Sequence, residues 1–417
     1  MENTENAHKS LWTRDFTIIT LGSVVSMVGN SLSGFAMSLM VLDYTSSALF
    51  YAIYVMAFTL PQIVVPIFSG ALLDRFSRKK TIYTLDFLSA ALYLTAGFLL
   101  STGWFSYPIF ALMVFIFGTI QSIYQVAYQS FYPMLITEGN YSKAYSIASI
   151  LESVSVFIVP LSTFIYNQMG IAPLMMANSL CFFVAAVMET RIRAEEKYVE
   201  NQKRPVGESG IRRMLTDTKE GFKYLKSERG LFFIAVYFLF SSMGGGVSNV
   251  ALLPYLKDFY PNGEYYYLIL GFCLMAGRSI TSVWHYRHTL PVNRKFIIAL
   301  FVYLFIAVFD GTMLFMPLLV MFIAAFISGC LGVTSYTIRV SATQSYVPDE
   351  KKGRFNGAFN VLSVLGALIG QGVAGVLSEI MDLRFVMLLT QVIVFSAAII
   401  IIGGHSKDVS KIYNRQQ

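Results

Sequence analysis

The sequence predicts an all-α membrane protein in which about twelve transmembrane helices form two pseudo-symmetric six-helix bundles. Of its 417 residues, 55% are hydrophobic and only 13% are charged, whereas soluble domains carry about a quarter charged residues. Apolar runs of about 20 residues, the length that crosses a bilayer as a helix, recur along the whole chain. Only one long polar stretch, residues 191–229, interrupts this pattern, and it separates six runs from six.

The apolar runs define the predicted spans and domains. The spans cover residues 16–42, 47–73, 81–101, 107–132, 145–167, 172–190, 231–256, 265–284, 296–315, 317–340, 355–379 and 384–403. We therefore predict an N-terminal six-helix bundle over residues 1–190, a cytoplasmic linker over 191–229 and a C-terminal six-helix bundle over 230–417. Within the linker, apolar residues recur at helical spacing from Ile211 to Lys226, which predicts a surface helix along the membrane.

Basic residues are concentrated in the loops on one side of the membrane. With the N-terminus on that side, its segments contain Arg75, Arg78, Lys79, Lys80, Lys143, Arg287, Arg294, Lys295, Lys351, Lys352, Arg354, Lys407 and Lys411. The loops on the other side hold only Lys257 and Arg384. This asymmetry follows the positive-inside rule and predicts that both termini are cytoplasmic. The net charge of +7 therefore reflects membrane topology, so we predict contact with membrane lipids and no nucleic-acid partner.

Other functional classes lack the residues that they need. The cysteines lie inside apolar runs, where they act as small hydrophobic residues, so we predict no disulfide and no metal site; they are Cys181, Cys273 and Cys330. No G-x-x-x-x-G-K-[ST] motif occurs, so the chain has no P-loop ATPase of its own. We find no nucleophile, base and orienting group that the spans would bring together. We therefore expect no cofactor and no enzymatic activity.

The segment "GALLDRFSRKK" at residues 70–80 places an acid and four basic residues directly after the second apolar run. It resembles the loop signature of the major facilitator superfamily, Gly-x-x-x-Asp-Arg-x-Gly-Arg-Arg/Lys. The matching positions are Gly70, Asp74, Arg75, Arg78 and Lys79, while Ser77 replaces the second glycine. The resemblance implies a transporter with alternating access, in which this loop is a conformational latch. The alternative is that the loop only sets the topology.

Three further segments resemble one branch of that superfamily, the bacterial macrolide-efflux and siderophore-export proteins. They are "LWTRDFTIITLG" at 11–22, "GLFFIA" at 230–235 and "KKGRFNGAFNVLSVLG" at 351–366. The branch implies an efflux antiporter of the bacterial plasma membrane, with a multidrug-resistance type of substrate range. The chain departs from the family pattern in two places. Phe117 stands where an arginine often begins the fourth-span signature, and "GRSITSVWHYRHTLPVNRK" in the second half lacks the aspartate of the loop, so no second latch is expected.

Few charged residues fall inside predicted spans, and each costs at least about 2.5 kcal/mol to insert. Counted from the nearest cytoplasmic charge at about 1.5 Å per residue, Asp86 lies roughly 9 Å deep, Glu152 and Arg278 roughly 13 Å, and Asp310 roughly 22 Å. The resembled fold places spans five and eight against each other. We therefore predict an ion pair between Glu152 and Arg278, with separate orientation into a wet cavity as the alternative.

The carboxylates among these residues are the predicted proton carriers. All four histidines fall in predicted cytoplasmic segments or at their edges; they are His8, His285, His288 and His405. Proton coupling is therefore assigned to carboxylates, whose protonation responds to burial and to a neighbouring cation. The candidates are Glu152, Asp86 and Asp310. For Asp86 the alternative is a structural hydrogen bond near the interface.

In the resembled fold, spans one, four, seven and ten line the substrate cavity. The first of these spans carries a polar stripe at helical spacing, namely Ser23, Ser26, Asn30 and Ser33. Across the four spans, the predicted substrate-cavity residues are Asn30, Gln121, Gln125, Tyr128, Asn249, Tyr336 and Arg339. Amide and aromatic groups on one face suit an amphipathic organic molecule. Such stripes can instead hold helices together.

These observations predict a secondary transporter that exports a small amphipathic organic compound by proton antiport. Its partners are the small-molecule substrate, protons and lipids, and we expect a monomer. One alternative is an importer or facilitator of an anionic or zwitterionic metabolite, which Arg278 and Arg339 would suit. An alternative of another class is a lipid-handling or sensory membrane protein that moves no solute.

Overall fold

The computed structural model describes residues 10–73, 76–194, 196, 210–288 and 290–415, and the regular elements in this part of the chain are all helical. In the first half the helices are α1 (Arg14–Thr45), α2 (Ala48–Leu73), α3 (Arg78–Ser101), α4 (Tyr107–Phe131), α5 (Tyr141–Met169) and α6 (Ile171–Glu189). A connecting helix, α7 (Gly210–Ser227), follows. In the second half they are α8 (Arg229–Phe259), α9 (Gly263–Arg287), α10 (Lys295–Thr312), α11 (Leu318–Tyr346), α12 (Asp349–Leu377), α13 (Leu383–Ala397) and α14 (Ser406–Tyr413).

The predicted all-α membrane fold is confirmed. Within the described residues, 11 helices are long and apolar enough to cross a membrane. The fifth predicted span is occupied by α5, which contains several residues whose side chains are outside the described set. Helices α11 and α12 extend well beyond the predicted spans at their shared end, to Tyr346 and from Asp349. Pro348 separates them, because proline lacks the N–H that a continuous helix would need there.

The chain forms two compact units. The first consists of Met1–Tyr44 and Ala57–Ile211, and the second consists of Thr45–Met56 and Arg212–Gln417. In the first unit, α3 packs along α6 and also against α4. In the second unit, α8 packs along α12, α9 packs along α11, and α10 packs against both α11 and α13.

Aromatic rings fill the core of the second unit. The rings of Tyr237 and Tyr303 stack with their centroids 4.5 Å apart. The hydroxyl groups of Tyr303 and Tyr413 lie 2.8 Å apart and share a hydrogen bond. Tyr413 is fully buried at the end of α14, so the C-terminal helix closes this core. Buried tyrosines of this kind need a partner for the hydroxyl group, and here they supply one another.

Helix α7 lies against the beginning of α12. Glu220 forms an ion pair with Arg354 at 2.7 Å, and the Lys351 ammonium lies 4.6 Å from the centre of the Tyr224 ring. Leu225 is buried in the core of the second unit. A helix is therefore present over the predicted stretch between Ile211 and Lys226, and it packs on the second unit.

Asp382 caps the start of α13. Its carboxylate accepts a hydrogen bond from the backbone N–H of Arg384 at 2.9 Å and forms an ion pair with the Arg384 guanidinium at 2.7 Å. These donors hold the pKa of Asp382 below its usual value. Asp382→Ala should lower stability by about 1 kcal/mol in thermal unfolding. Because the folded-state pKa is lowered, the difference from wild type should be full above about pH 4 and shrink as the pH falls further. Equal unfolding temperatures at neutral pH would contradict this role.

Candidate functional site

A cleft opens between α9 and α11 of the second unit, with a volume of about 400 Å³. Its lining residues are Arg278, Ser279, Ser282, His285, Val333, Tyr336 and Thr337. Most of them are polar, although both helices are long apolar spans. This size falls in the usual range for sites that bind small molecules. The cleft combines one cation, several hydroxyl groups and an aromatic ring, so it can hold a molecule with both a polar and an apolar part.

Helical spacing brings the α9 side chains of the cleft onto one face. Arg278, Ser282 and His285 follow each other at intervals of four and three residues, which places them one above the other. The Ser282 hydroxyl donates to the carbonyl oxygen of Arg278 at 2.8 Å. His285 Nε2 lies 3.0 Å from the hydroxyl of Thr334 on α11 and forms a hydrogen bond with it. Arg278 is exposed, and no described carboxylate forms an ion pair with it.

The backbones of α9 and α11 approach each other closely beside the cleft. A Cβ atom at Gly277 would lie 2.1 Å from the carbonyl oxygen of Phe326, and a Cβ atom at Gly329 would lie 2.1 Å from that of Leu274. Glycine at both positions therefore allows α9 and α11 to touch. The crossing lies directly beside Arg278.

Arg339 lies among aromatic rings further along α11. Its guanidinium carbon is 4.6 Å from the ring centre of Phe359, 4.9 Å from that of Phe238 and 5.4 Å from that of Tyr336. Such contacts stabilise a cation without neutralising it. Its Nε atom is buried and has no hydrogen-bond partner among the described residues. Tyr336 also lines the cleft, so one tyrosine connects Arg339 with the cleft wall.

Part of the predicted serine stripe on α1 joins helices of the first unit. Ser26 is buried and donates to Asp86 Oδ2 at 3.3 Å. Ser33 is fully buried and accepts a hydrogen bond from the Asn178 amide at 2.6 Å. Asp86 itself is only 1% exposed. The hydrogen bond weighed as the alternative role for Asp86 is therefore present.

A stacked row of three tyrosines, which we name the tyrosine ladder, consists of Tyr124 and Tyr128 on α4 and Tyr132 directly after its end. Ring centroids are 5.9 Å apart between the first two and 5.2 Å apart between the last two. The Tyr132 hydroxyl donates to the carbonyl oxygen of Ala144 at 3.0 Å. Of the two glutamines predicted to line the cavity from the same helix, Gln125 is exposed and Gln121 is partly buried.

The loop signature is described from Phe76 onward. Ser77 Oγ donates to Glu196, and the same carboxylate accepts the backbone N–H of Arg78 at 2.8 Å. Arg78 Nη1 donates to the carbonyl oxygen of Ser130 at 3.1 Å, and Lys79 Nζ donates to that of Ile192 at 3.3 Å. Within the first unit these contacts fasten the start of α3 to the ends of α4 and α6.

Several predicted residues fall outside what the structure describes. Asp74 and Arg75 are not described, and the side-chain surroundings of Gly70 and Glu152 are not described either. The latch and the predicted pair of Glu152 with Arg278 therefore stay predictions.

Other predicted residues are described with their own surroundings. Asp310 accepts a hydrogen bond from Ser328 at 2.8 Å. Asn249 is exposed on α8, and Asn30 is partly buried on α1. None of these three residues lines the cleft between α9 and α11.

Two residues of functional interest were not predicted from the sequence. His285 lies on the cleft wall and Glu189 is completely buried at the end of α6. The signal for Glu189 was its distance of 11 residues from Asn178, because 11 residues make three helical turns and place both on one face. The described residues contain no group of three or more His, Cys, Asp or Glu side chains that could hold a metal ion.

Comparison with known protein families identifies the superfamily to which this fold belongs. The profile described as Major Facilitator Superfamily matches residues 19–371, which is most of the chain. The chain belongs to the major facilitator superfamily. This superfamily match supports transport of a small molecule across a membrane. The narrower branch of macrolide-efflux and siderophore-export proteins stays a prediction.

Relatives of this superfamily resemble the chain over different lengths. The uncharacterized MFS-type transporter YkuC of Bacillus subtilis (strain 168) is 24% identical over 283 residues, which are 65% of this chain and 64% of YkuC. The chain therefore spans a little under two thirds of that relative. The uncharacterized MFS-type transporter YfiS of the same organism is 24% identical over 97% of both chains.

Two solved structures have the same fold. A mutant of the nucleoside transporter NupG superimposes with a TM-score of 0.67 at 11% identity, over 94% of this chain and 99% of that one. A bacterial homologue of the iron transporter ferroportin in an inward-facing state gives a TM-score of 0.66 at 14% identity, over 93% and 98%. At such identities the likeness concerns the fold alone.

Proposed function

We propose that this member of the major facilitator superfamily is a secondary active transporter that exports a small amphipathic organic compound by proton antiport. The cleft between α9 and α11 is the observation that carries the proposal. Arg278 and the hydroxyl groups supply polar contacts, and Tyr336, which is 59% exposed, offers an aromatic surface. A site of this kind binds a molecule through its polar end and its flat apolar body together.

The coupling ion in this proposal is a proton that a membrane-embedded carboxyl group carries. Asp86, Asp310 and Glu152 are the candidates, since each lies inside a span where an ionised carboxylate is costly. Asp86 and Asp310 each accept a hydrogen bond from a serine, which stabilises either protonation state. The direction of transport and the use of protons rest on the resemblance to the efflux branch.

The proposed transporter also has a latch loop and a defined orientation in the membrane. We propose that Gly70, Asp74, Arg75, Arg78 and Lys79 act as a latch that changes its contacts between access states. The bonds from Arg78 to the end of α4 and from Lys79 to the end of α6 give the loop partners that it can exchange. A monomer in a bacterial plasma membrane, with both termini in the cytoplasm, completes the proposal.

A second candidate function is import or facilitated passage of an anionic or zwitterionic metabolite. The observation that favours it is that no described carboxylate neutralises Arg278 or Arg339. A cation without an ionic partner in a membrane span attracts a substrate anion. Substrate charge and transport direction separate the two candidates.

The test uses membrane vesicles of both orientations that contain the protein, an imposed pH gradient, and a panel of macrolides, dyes and siderophore-like compounds. Export predicts that a panel compound accumulates in inside-out vesicles, and import predicts accumulation in right-side-out vesicles. Tyr336→Ala should reduce the accumulation between about twofold and about tenfold, since an aromatic contact of about 0.5–1.5 kcal/mol is lost. Tyr286→Ala, a change at a 91% exposed tyrosine of α9 outside the cleft, should leave it unchanged. If the folded protein accumulates no panel compound in vesicles of either orientation, a lipid-handling or sensory protein is favoured.

A further inference from the structure

Two carboxyl groups are buried against each other in the first unit, one on α3 and one on α6. Asp86 is 1% exposed and Glu189 is 0% exposed. Helix α3 packs along α6, and Gly22 and Ser26, one turn apart on α1, lie against Glu189 and Asp86 respectively. This packing brings the two groups close enough for electrostatic interaction. Neither carboxylate oxygen of Glu189 reaches a hydrogen-bond partner among the described residues. Asp86 accepts a bond from Ser26, at 3.3 Å.

No described cation compensates this pair. The neighbouring residues on α1 are Gly22, Ser23 and Ser26, none of which is titratable. The titratable groups that face the pair from α4 are Tyr124 and Tyr128. At the start of α3, Arg78 is bonded to Ser130 and Lys79 is bonded to Ile192.

Two adjacent carboxyl groups in such surroundings cannot both be ionised. Like charges in contact and away from water repel strongly, so one group keeps a proton. Two ionised groups would also need strong hydrogen-bond donors, and Glu189 has none among the described residues. A bound proton removes both difficulties. The pair therefore differs from an ion pair that only holds two helices together.

The space around Glu189 is shaped for its side chain. A Cβ atom at Gly22 would lie 3.1 Å from Glu189 Oε1, so glycine on α1 leaves room for the carboxyl group. The Tyr124 hydroxyl is buried, has no hydrogen-bond partner among the described residues, and acts electrostatically on Glu189. A buried hydroxyl group and a buried carboxyl group thus interact inside the first unit.

The tyrosine ladder connects this space with the end of α4. Tyr124, Tyr128 and Tyr132 repeat every four residues, so their hydroxyl groups extend over about 12 Å of helix. The Ser23 hydroxyl interacts with the hydroxyl groups of both Tyr124 and Tyr128. Each hydroxyl group can donate one proton and accept another. The ladder therefore places a row of hydroxyl-bearing rings beside the carboxyl pair.

We propose that Asp86 and Glu189 form a proton-binding site, and that this site carries the proton of the antiport cycle. One proton binds from water to the carboxyl pair when the pair is charged, and the same proton returns to water when the pair is exposed in the other access state. The proposal rests on the proton antiport proposed above. It assigns a role to Glu189, which lies one residue before the end of the sixth predicted span.

Infrared difference spectroscopy on the purified, reconstituted protein tests the site without any substrate. Between mildly acidic and mildly alkaline pH, wild type should show the carbonyl band of a protonated carboxyl group that fades as the pH rises. Glu189→Gln and Asp86→Asn should each remove this change. Asp43→Asn, a change at an exposed acid on α1, should keep it. A wild-type band that does not titrate, or an unchanged difference spectrum in Glu189→Gln, would overturn the proposal. So would a band that responds to sodium ions rather than to pH.

Transport then tests the coupling role, with a panel dye that wild type accumulates in liposomes as the probe. Glu189→Gln should keep dye exchange at equal pH and lose the accumulation that a pH gradient drives. Accumulation that persists in this variant while wild type moves protons would overturn the coupling role alone. If wild type exchanges dye without moving protons, the antiport itself is wrong, and the infrared titration still decides whether the pair binds a proton.

Discussion

Gly277→Ala should abolish the normal packing of α9 on α11 and lower the stability of the protein by at least about 2 kcal/mol. The added methyl group would lie 2.1 Å from the carbonyl oxygen of Phe326, and a backbone atom cannot rotate away as a side chain can. The two helices must separate, and the neighbouring Arg278 moves with them. Thermal unfolding of the purified protein in detergent measures the loss.

The same two helices supply the controls. Gly271 on α9 and Gly332 on α11 have nothing within 4 Å of an added Cβ, so alanine at either position should leave stability unchanged or raise it slightly, because alanine favours helix. Gly329→Ala should reproduce the effect of Gly277→Ala, since its Cβ atom would lie 2.1 Å from the carbonyl oxygen of Leu274. Equal unfolding temperatures for Gly277→Ala and Gly332→Ala would show that this crossing does not limit stability.

Arg278→Gln should weaken binding of a carboxylate-bearing compound at least about tenfold and leave binding of its methyl ester unaffected. Charge-assisted hydrogen bonds contribute about 1.5–3 kcal/mol, and about 1.4 kcal/mol corresponds to a factor of ten in affinity. Because Arg278 is exposed, its removal should not change folding. Binding of the acid and its ester to purified protein, measured side by side, gives the result.

Two further variants sharpen this comparison. Arg278→Lys keeps the charge and loses the planar fork, so it should retain part of the preference for the acid. Arg287→Gln, a change at an exposed arginine on the same helix outside the cleft, should have no effect. Equal losses for the acid and the ester in Arg278→Gln would indicate that the cleft does not recognise the substrate by charge. A strong preference of wild type for the acid would favour the metabolite importer over the exporter.

The spans could be predicted well from the sequence because length and hydropathy identify membrane helices. The predicted span at 107–132 and the observed Tyr107–Phe131 differ by one residue at one end. The disagreement is larger where α11 reaches Tyr346 and α12 begins at Asp349. There the helices continue through polar residues, and hydropathy carries no signal for a helix that extends past the membrane.

The site was only partly predictable because packing decides which polar groups share a space. Tyr336 and Arg278 stand out as polar residues in apolar runs, and both line the cleft. Ser26 stands out equally, yet it bonds to Asp86 inside the bundle. Glu189 was overlooked because a carboxylate at a span end is ordinarily solvated. Its complete burial depends on how α6 packs against α3 and α1, and one helix alone does not contain that information.

In the proposed mechanism, compound and proton cross the membrane in one coupled cycle. The most direct measurement uses purified protein in liposomes with an internal pH dye, challenged with macrolides, dyes and siderophore-like compounds while a pH gradient is imposed. Proton antiport predicts proton movement that appears only when a transported compound is added and that disappears in Glu189→Gln. Compound flux without any proton movement would contradict it, leaving a transporter of this fold that works by another mechanism.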